Sequence, residues 1–341
     1  MTRPLRIGFV GTELAPLRPS AGGLERLVTG WATALSRQFA TTCISRFDDA
    51  SPGTRYNTTA PLAQLVEGCD VVVVNNRPAW ANEIDLPVVL VLHNTVEAWA
   101  LPGWDATRHQ LTTPTVMGPN VVVAAVSSYL ARHVQEQLGL AALPVVLPPF
   151  IDPAFADGPR WQPNENSLLF PNRLLTKKGV LETIAAIKRV SDPRATVVFL
   201  ENFAPWSQPT GEHLTLLEHI NACARCRLEP RIEASATLAN RMLGAQAVLA
   251  PSIHPEGLGL VPLEALALGI PTIISSMGGL GELARYGATV VEPIDDAGFA
   301  AAIEESTQKP PAIDVDGVRR DFGLRRSAEI LAASLQEAIL R

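Results

Sequence analysis

The sequence predicts an α/β protein of two doubly wound domains whose strand-end loops face a central cleft. Three observations carry this. Short apolar runs recur at residues 5–10, 41–45, 71–75, 88–92 and 121–126, and again at 167–170, 195–200, 247–250, 270–274 and 287–291, with helical segments between them. Runs without polar alternation suit parallel strands buried on both faces. Between Pro148 and Pro163 stand five prolines and Gly158, which mark a domain boundary. A chain of 341 residues, 47% hydrophobic and 18% charged, has the size and composition of two soluble domains. The expected division is residues 1–155, residues 156–320 and a C-terminal helical segment over 321–341.

The first strand runs through Gly11 into a loop carrying Pro16, Pro19, Gly22 and Gly23. Leu24, Leu27, Val28, Trp31, Ala34 and Leu35 then share one helical face, so the paired glycines stand at a helix N-terminus in a strand-to-helix loop. Such loops line the ligand crevice of a parallel sheet, although paired glycines before a helix also make an ordinary turn. His93 follows the strand at 88–92 directly, again where ligands gather, and the alternative is a packing or capping histidine. Trp99 and Trp104 offer flat faces to an acceptor ring, with helix packing the blander account. Ser127 is placed to cap a helix reaching residue 138.

In the second half the strand at 167–170 leads into Asn172, Arg173, Leu174, Leu175, Thr176, Lys177, Lys178 and Gly179, and then a helix over 180–190. Cations at a helix start oppose the helix dipole, so their presence there points to an anion; Arg173 supplies a planar fork and Lys178 a point charge. His219, Cys223 and Cys226 are predicted on one helical face, which suggests zinc, but Leu216 and Ile220 beside them suggest core packing instead.

Residues 247–283 are the most specific stretch: strand, glycine loop, helix, strand and second glycine loop. Glu256 precedes Gly257, Leu258, Gly259 and Leu260, after which a helix with apolar Val261, Leu263, Ala265, Leu266 and Leu268 runs to Gly269. Its N-terminus, with unpaired N–H groups and a positive dipole end, suits a phosphate. Glu256 and Glu264 would repel that phosphate unless they accept hydrogen bonds from hydroxyls on the same ligand, which sugars and riboses provide. The bland alternative has Glu256 favouring the dipole and Glu264 in solvent. Gly278, Gly279 and Gly281 form the second loop.

The net charge of −6 argues against a nucleic-acid partner. The first 150 residues hold 10 Arg and no Lys against 11 acidic residues, so membrane contact is expected to be peripheral at most. No apolar run is long enough to span a bilayer and no signal-like segment opens the chain, giving a cytoplasmic expectation. Cys43, Cys69, Cys223 and Cys226 show no disulfide framework. Metal is not expected, on the reading that the chain offers no Asp-x-Asp metal motif.

The run PSIHPEGLGLVPLEALALGIPTI, with Glu256 and Glu264 separated by seven residues, resembles the signature of family four of the retaining glycosyltransferases. The resemblance implies the GT-B architecture of two Rossmann-like domains, an acceptor-binding N-terminal one and a nucleotide-sugar-binding C-terminal one, with the C-terminal helix packed back toward the first. It implies transfer of a sugar, with anomeric retention, from a nucleotide-diphosphate sugar to a hydroxyl of a small-molecule, glycan or lipid-linked acceptor, with no further cofactor. Glu256 would contact the transferred sugar, Glu264 the ribose, and His93 the sugar. Arg173 and Lys178 match the diphosphate clamp, with Asn172 in place of its usual glycine. Gly22, Gly23, Leu24 and Glu25 match a stretch near the donor diphosphate and acceptor, and Gly257, Leu258, Gly259 and Leu260 the donor loop. Residues 201–206 depart from the family's glycine-rich turn, and residues 231–234 resemble the short strand and loop that meets the base. Competing readings are a glycoside hydrolase using Glu256 and Glu264, a nucleotide-sugar epimerase and a non-catalytic nucleotide-sugar binding protein.

Overall fold

Five-residue runs of Val, Leu and Asn cannot bury themselves, so they assemble side by side: Val71–Asn75 and Val88–Leu92 are covered along their whole length. The structure, a computed structural model, describes residues 3–11, 22–45, 54–56, 60–95, 117–202, 211–292 and 294–341. The chain divides into two compact units, one of residues 1–150 with 322–341 and the other of residues 151–321.

The first unit holds a parallel sheet of strands β1 (Arg6–Val10), β2 (Ala40–Ser45), β3 (Thr54–Tyr56), β4 (Val71–Asn75), β5 (Val88–Leu92), β6 (Val121–Ala125) and β7 (Val145–Val146), in the order β3-β2-β1-β4-β5-β6-β7. β2 starts one residue earlier than the sequence pattern suggests and β6 stops one earlier. The expected cap is present: Ser127 Oγ accepts from the Leu130 N–H at 3.1 Å at the head of the helix Ser128–Leu138. The helix Leu324–Leu340 belongs to this unit and buries Leu331, Leu335 and Ala338. It is tied to the helix Gly23–Leu35 through Trp31, whose Nε1–H donates to Ser327 Oγ at 2.8 Å, while Ser327 Oγ donates to the Pro148 carbonyl at 2.6 Å.

The second unit repeats the scheme with β8 (Ser167–Phe170), β9 (Thr196–Leu200), β10 (Cys226–Glu229), β11 (Ala247–Ala250), β12 (Thr272–Ser275) and β13 (Thr289–Val291), all parallel in the order β10-β9-β8-β11-β12-β13. Phe170, Ile187, Phe199, Leu249, Ile273 and Phe299 fill its core. In both sheets the order reverses beside the first strand, between β1 and β4 and between β8 and β11, and a crevice for ligands opens outside the carboxyl ends at such a switch point.

Several expectations need correction. β12 begins at Thr272, because Gly269 turns the chain at φ +79 and Pro271 has no N–H to give the ladder. β13 begins at Thr289, after Gly287. The strand placed at 231–234 is Cys226–Glu229, with residues 231–234 in the loop beyond it. His219, Cys223 and Cys226 share no helical face: the helix Gly211–Asn221 ends before both cysteines, Cys223 is buried in the core and Cys226 opens β10. Exposed His219 keeps its Nδ1 on the Thr215 carbonyl at 2.8 Å. Trp99, Trp104 and residues 203–206 lie outside the described residues. Among those described, no helix is long and apolar enough to cross a membrane.

Trp31 and Ser327 are both 0% exposed, so Ser327→Ala strands an indole N–H and a carbonyl in the interior. It is expected to lower the stability of this unit by about 2 kcal/mol in urea unfolding, with the slope against urea unchanged.

Candidate active site

The loops that leave β8 and β11 meet at the switch point of the second sheet. After β8, Pro171 and Asn172 are buried, and the Asn172 amide donates to the Leu249 carbonyl at 2.9 Å, a tie that a glycine would not make. Arg173 is then exposed, and residues Thr176–Lys178 make one 3-10 turn closed by Gly179. Gly179 has φ +81, and a Cβ there would lie 2.1 Å from the Pro251 carbonyl oxygen, so only glycine lets this loop touch the end of β11. The Ile253 N–H completes the junction by donating to the Lys177 carbonyl at 3.0 Å.

This junction brings Lys178 onto Glu256. The ammonium pairs directly with Glu256 Oε1, with the two side chains 15% and 19% exposed. Ser252 Oγ donates to the same oxygen at 2.5 Å, and Ser275 Oγ at the end of β12 donates to the Ser252 carbonyl at 2.6 Å. Burial pushes the Glu256 carboxyl up, but the charge and hydrogen bond of Lys178, the Ser252 hydroxyl and the Arg173 charge together outweigh it and hold Glu256 below the usual carboxylate range. Glu256 is therefore ionised at neutral pH.

Three cations, Arg173, Lys177 and Lys178, crowd this carboxylate. Lys177 is lowered to about 8, first by burial and then by the charges of Arg173 and Lys178. A further anion at this place would relieve that repulsion.

The backbone of Glu256 bridges to the second glycine loop: its N–H donates to the Met277 carbonyl at 3.3 Å and its carbonyl accepts from the Gly279 N–H at 2.8 Å. Gly278, at φ +71, lies so close that a Cβ would sit 2.5 Å from the Glu256 carbonyl oxygen. Beyond Glu256, Gly257 and Leu258 are buried, Gly259 and Leu260 half-buried, and the helix Leu260–Ala267 starts with no side chain capping it. Glu264 is 3% exposed, which removes the reading in which it sits in solvent. The structure thus gathers Arg173, Lys178, Glu256 and the loop Gly257, Leu258, Gly259 and Leu260, and adds Lys177, Ser252 and Ser275. The sequence hint for Ser252 was its place four residues before Glu256; Ser275 had none.

The other expected residues belong to the first unit. Gly22 precedes and Gly23 opens the helix Gly23–Leu35, with the buried Glu25 carboxylate against Gly22. His93 lies beyond β5, its N–H donating to Asn76 Oδ1 at 2.7 Å and its Nε2 lying 3.0 Å from Asn75 Oδ1. Burial pushes its imidazole down to about 3, so it is neutral at physiological pH. Asn75 ends the run VVVVN and Asn76 follows it, and nothing in the sequence distinguished them from strand-end residues.

The expectation that the chain has no Asp-x-Asp run needs correction, since Asp314-Val315-Asp316 is one. Asp314 Oδ1 accepts from the Gly317 N–H at 2.8 Å and Asp316 pairs with Arg160 at 3.0 Å, so both have structural partners. Among the described residues no cluster of three or more His, Cys, Asp or Glu is arranged to hold a metal ion.

Residues 153–314 match the family described as Glycosyl transferases group 1. Glycogen synthase of Mycobacterium tuberculosis is 31% identical over 73% of this chain and 61% of its own length, so the chain spans about three fifths of that relative. D-inositol 3-phosphate glycosyltransferase 1 of Catenulispora acidiphila is 29% identical over 90% of this chain and 88% of its own. Among solved structures, Anabaena Alr3699/HepE in complex with UDP and glucose aligns with a TM-score of 0.78 at 17% identity, covering 97% of this chain and 99% of that one. Sucrose-phosphate synthase from Thermosynechococcus elongatus aligns with a TM-score of 0.68 at 17% identity, over 98% and 96% of the two chains. These likenesses show the fold, GT-B with two Rossmann-like domains.

Lys178→Met leaves Glu256 buried with its main counter-charge removed, so burial prevails and its pKa rises above the usual range. In the native protein Glu256 stabilises the fold above its unfolded pKa and loses that contribution as pH falls. In the variant the sign inverts: stability is lower by about 2–4 kcal/mol at pH 7 and part of the deficit is recovered as pH falls toward 5, as urea unfolding at the two pH values will read.

Proposed function

From the match of residues 153–314 to the family described as Glycosyl transferases group 1, we propose that this chain belongs to that family and moves a glycosyl group from a nucleotide-diphosphate sugar to a hydroxyl of an acceptor, with retention of anomeric configuration and without a metal ion. The observation that carries the reading is the cation cluster of Arg173, Lys177 and Lys178 around Glu256, four residues before the helix start at Leu260, where the loops after β8 and β11 meet. Residues 156–320 then hold the donor and residues 1–155 meet the acceptor, which is a small molecule, glycan or lipid-linked hydroxyl. A cytoplasmic site of action is part of the same proposal.

In this reaction the bond from the anomeric carbon to the diphosphate oxygen breaks, the acceptor oxygen takes its place, and the acceptor proton leaves with the diphosphate. Negative charge grows on the departing oxygen, where preorganised cations and helix N–H groups lower the barrier without reorganising. Arg173 and Lys178 supply the cations. Glu256, ionised, accepts hydrogen bonds from the hydroxyls of the sugar, and Glu264 from those of the ribose. Retention follows from a front-face route, for which no protein nucleophile is assigned.

The hydrolase reading needs one of its two carboxyl groups protonated to serve as general acid. Glu256 is held in the opposite state by Lys178, and a hydrolase has no use for three cations beside it. UDP-glucose is the first donor to test, since Alr3699/HepE is also solved in complex with it.

Calorimetric titration with UDP, GDP and ADP is expected to find one that binds, and Arg173→Ala or Lys178→Ala to weaken it about 10- to 100-fold, the equivalent of about 1.4–3 kcal/mol for a charged contact. Unchanged affinity in both variants would refute the clamp. With the matching donor sugar and an accepted alcohol, proton NMR is expected to show a product of the same anomeric configuration as the donor, formed equally well in EDTA. An inverted product or abolition by EDTA would reject retention or metal independence respectively.

A further inference from the structure

The end of β4 holds two asparagines whose side chains are both spent on His93. Asn75 is 0% exposed, and its Nδ2–H donates to the Val10 carbonyl at the end of β1 at 2.9 Å. A carbonyl oxygen only accepts, so the amide nitrogen faces Val10 and Oδ1 necessarily faces the imidazole, 3.0 Å from Nε2. An acceptor opposite Nε2 requires a hydrogen on Nε2. The other tautomer would set two acceptors against each other at this distance, and flipping the amide would move the same conflict to Val10.

Asn76, next in the chain, takes the His93 backbone N–H on its Oδ1 at 2.7 Å. To do so it adopts φ +55, the one positive φ of a non-glycine among the described residues. Left-handed backbone is tolerated by Asn but still costs energy, and such positions cluster at functional sites. Trp31 flanks the imidazole with ring centroids 6.0 Å apart and is itself anchored by its indole N–H on Ser327. His93 is thus held through its backbone, its Nε2 and one ring face. Its Nδ1 has no hydrogen-bond partner among the described residues. No charged side chain among them shifts its titration, which burial alone depresses.

We propose that Asn75 is a positioning residue that fixes His93 as the Nε2–H tautomer, so that the Nδ1 lone pair is offered as a hydrogen-bond acceptor to a ligand hydroxyl. That the hydroxyl belongs to a sugar rests on the proposed transferase reading; the tautomer does not. A proton on Nδ1 would confront the hydroxyl with a donor, and an imidazolium would have no acceptor at all. The network therefore selects a hydroxyl that donates, as an alcohol does and an ether or a phosphate dianion does not.

The test is nitrogen-15 NMR of the full chain with labelled histidine at pH 7, His93 being assigned by its disappearance in His93→Gln. The expected spectrum has a pyridine-type Nδ1 and a pyrrole-type Nε2 for His93, and a protonated Nδ1 would overturn the proposal with no variant needed. Asn75→Leu, of similar volume but without polar atoms, is expected to give a mixture of tautomers and a fall of tenfold or more in kcat with a smaller change in KM. Asn75→Asp sets its second oxygen against the Val10 carbonyl and so costs stability, but it keeps an oxygen toward Nε2; its charge raises the imidazole pKa, and above that pKa it is expected to restore the single Nε2–H tautomer. A wild-type tautomer persisting in Asn75→Leu refutes the positioning role; if that variant does not fold, loss of the Nε2–H tautomer in Asn75→Asp refutes it instead. The spectra need neither donor nor acceptor, so a chain with the expected tautomer and no transferase activity contradicts only the proposed function.

Discussion

The Lys178–Glu256 ion pair is the interaction on which the second unit's site depends, because it joins the loops of two strands at the one place where the sheet order reverses. Two mostly buried charges are costly to desolvate and are kept only when paired and further hydrogen-bonded. Glu256 meets that condition through Lys178 and Ser252, and its backbone is pinned between Met277 and Gly279. Loops following β8, β11 and β12 are thus fixed to one carboxylate. Arg173 and Lys177 stay in excess of it, which leaves the junction cationic and suited to a doubly charged ligand.

How much of this was legible in the sequence follows from how local each signal is. The buried strands Val71–Asn75, Val88–Leu92 and Ser167–Phe170 were readable to the residue, since an unbroken apolar run ended by Asn, His or Pro has one reading. Strand starts were less so, because Pro271 forbids a ladder bond that hydrophobicity alone allows. The cysteine region misled because helical spacing was extended past Asn221, where the chain turns and Cys226 donates its N–H back to the Cys223 carbonyl. Arg173, Lys178, Glu256 and Glu264 stood out by type and spacing near glycines. Ser275, Asn75 and Asn76 did not, because their partners lie 23, 65 and 17 residues away and only the sheet order brings them together.

The two units use opposite electrostatic means. In the second, charge is concentrated and the Glu256 carboxylate is kept ionised by cations. In the first, His93 is stripped of charge by burial and aimed by neutral amides, so its chemistry is that of a directional acceptor rather than a base.

The most direct test of the account is a crystal structure of the protein with the nucleoside diphosphate that binds it best. The account predicts the terminal phosphate within hydrogen-bonding distance of both the Arg173 guanidinium and the Lys178 ammonium, with the helix start at Leu260 facing its oxygens. A diphosphate bound elsewhere on the chain, with Lys178 still engaged only by Glu256, would contradict it.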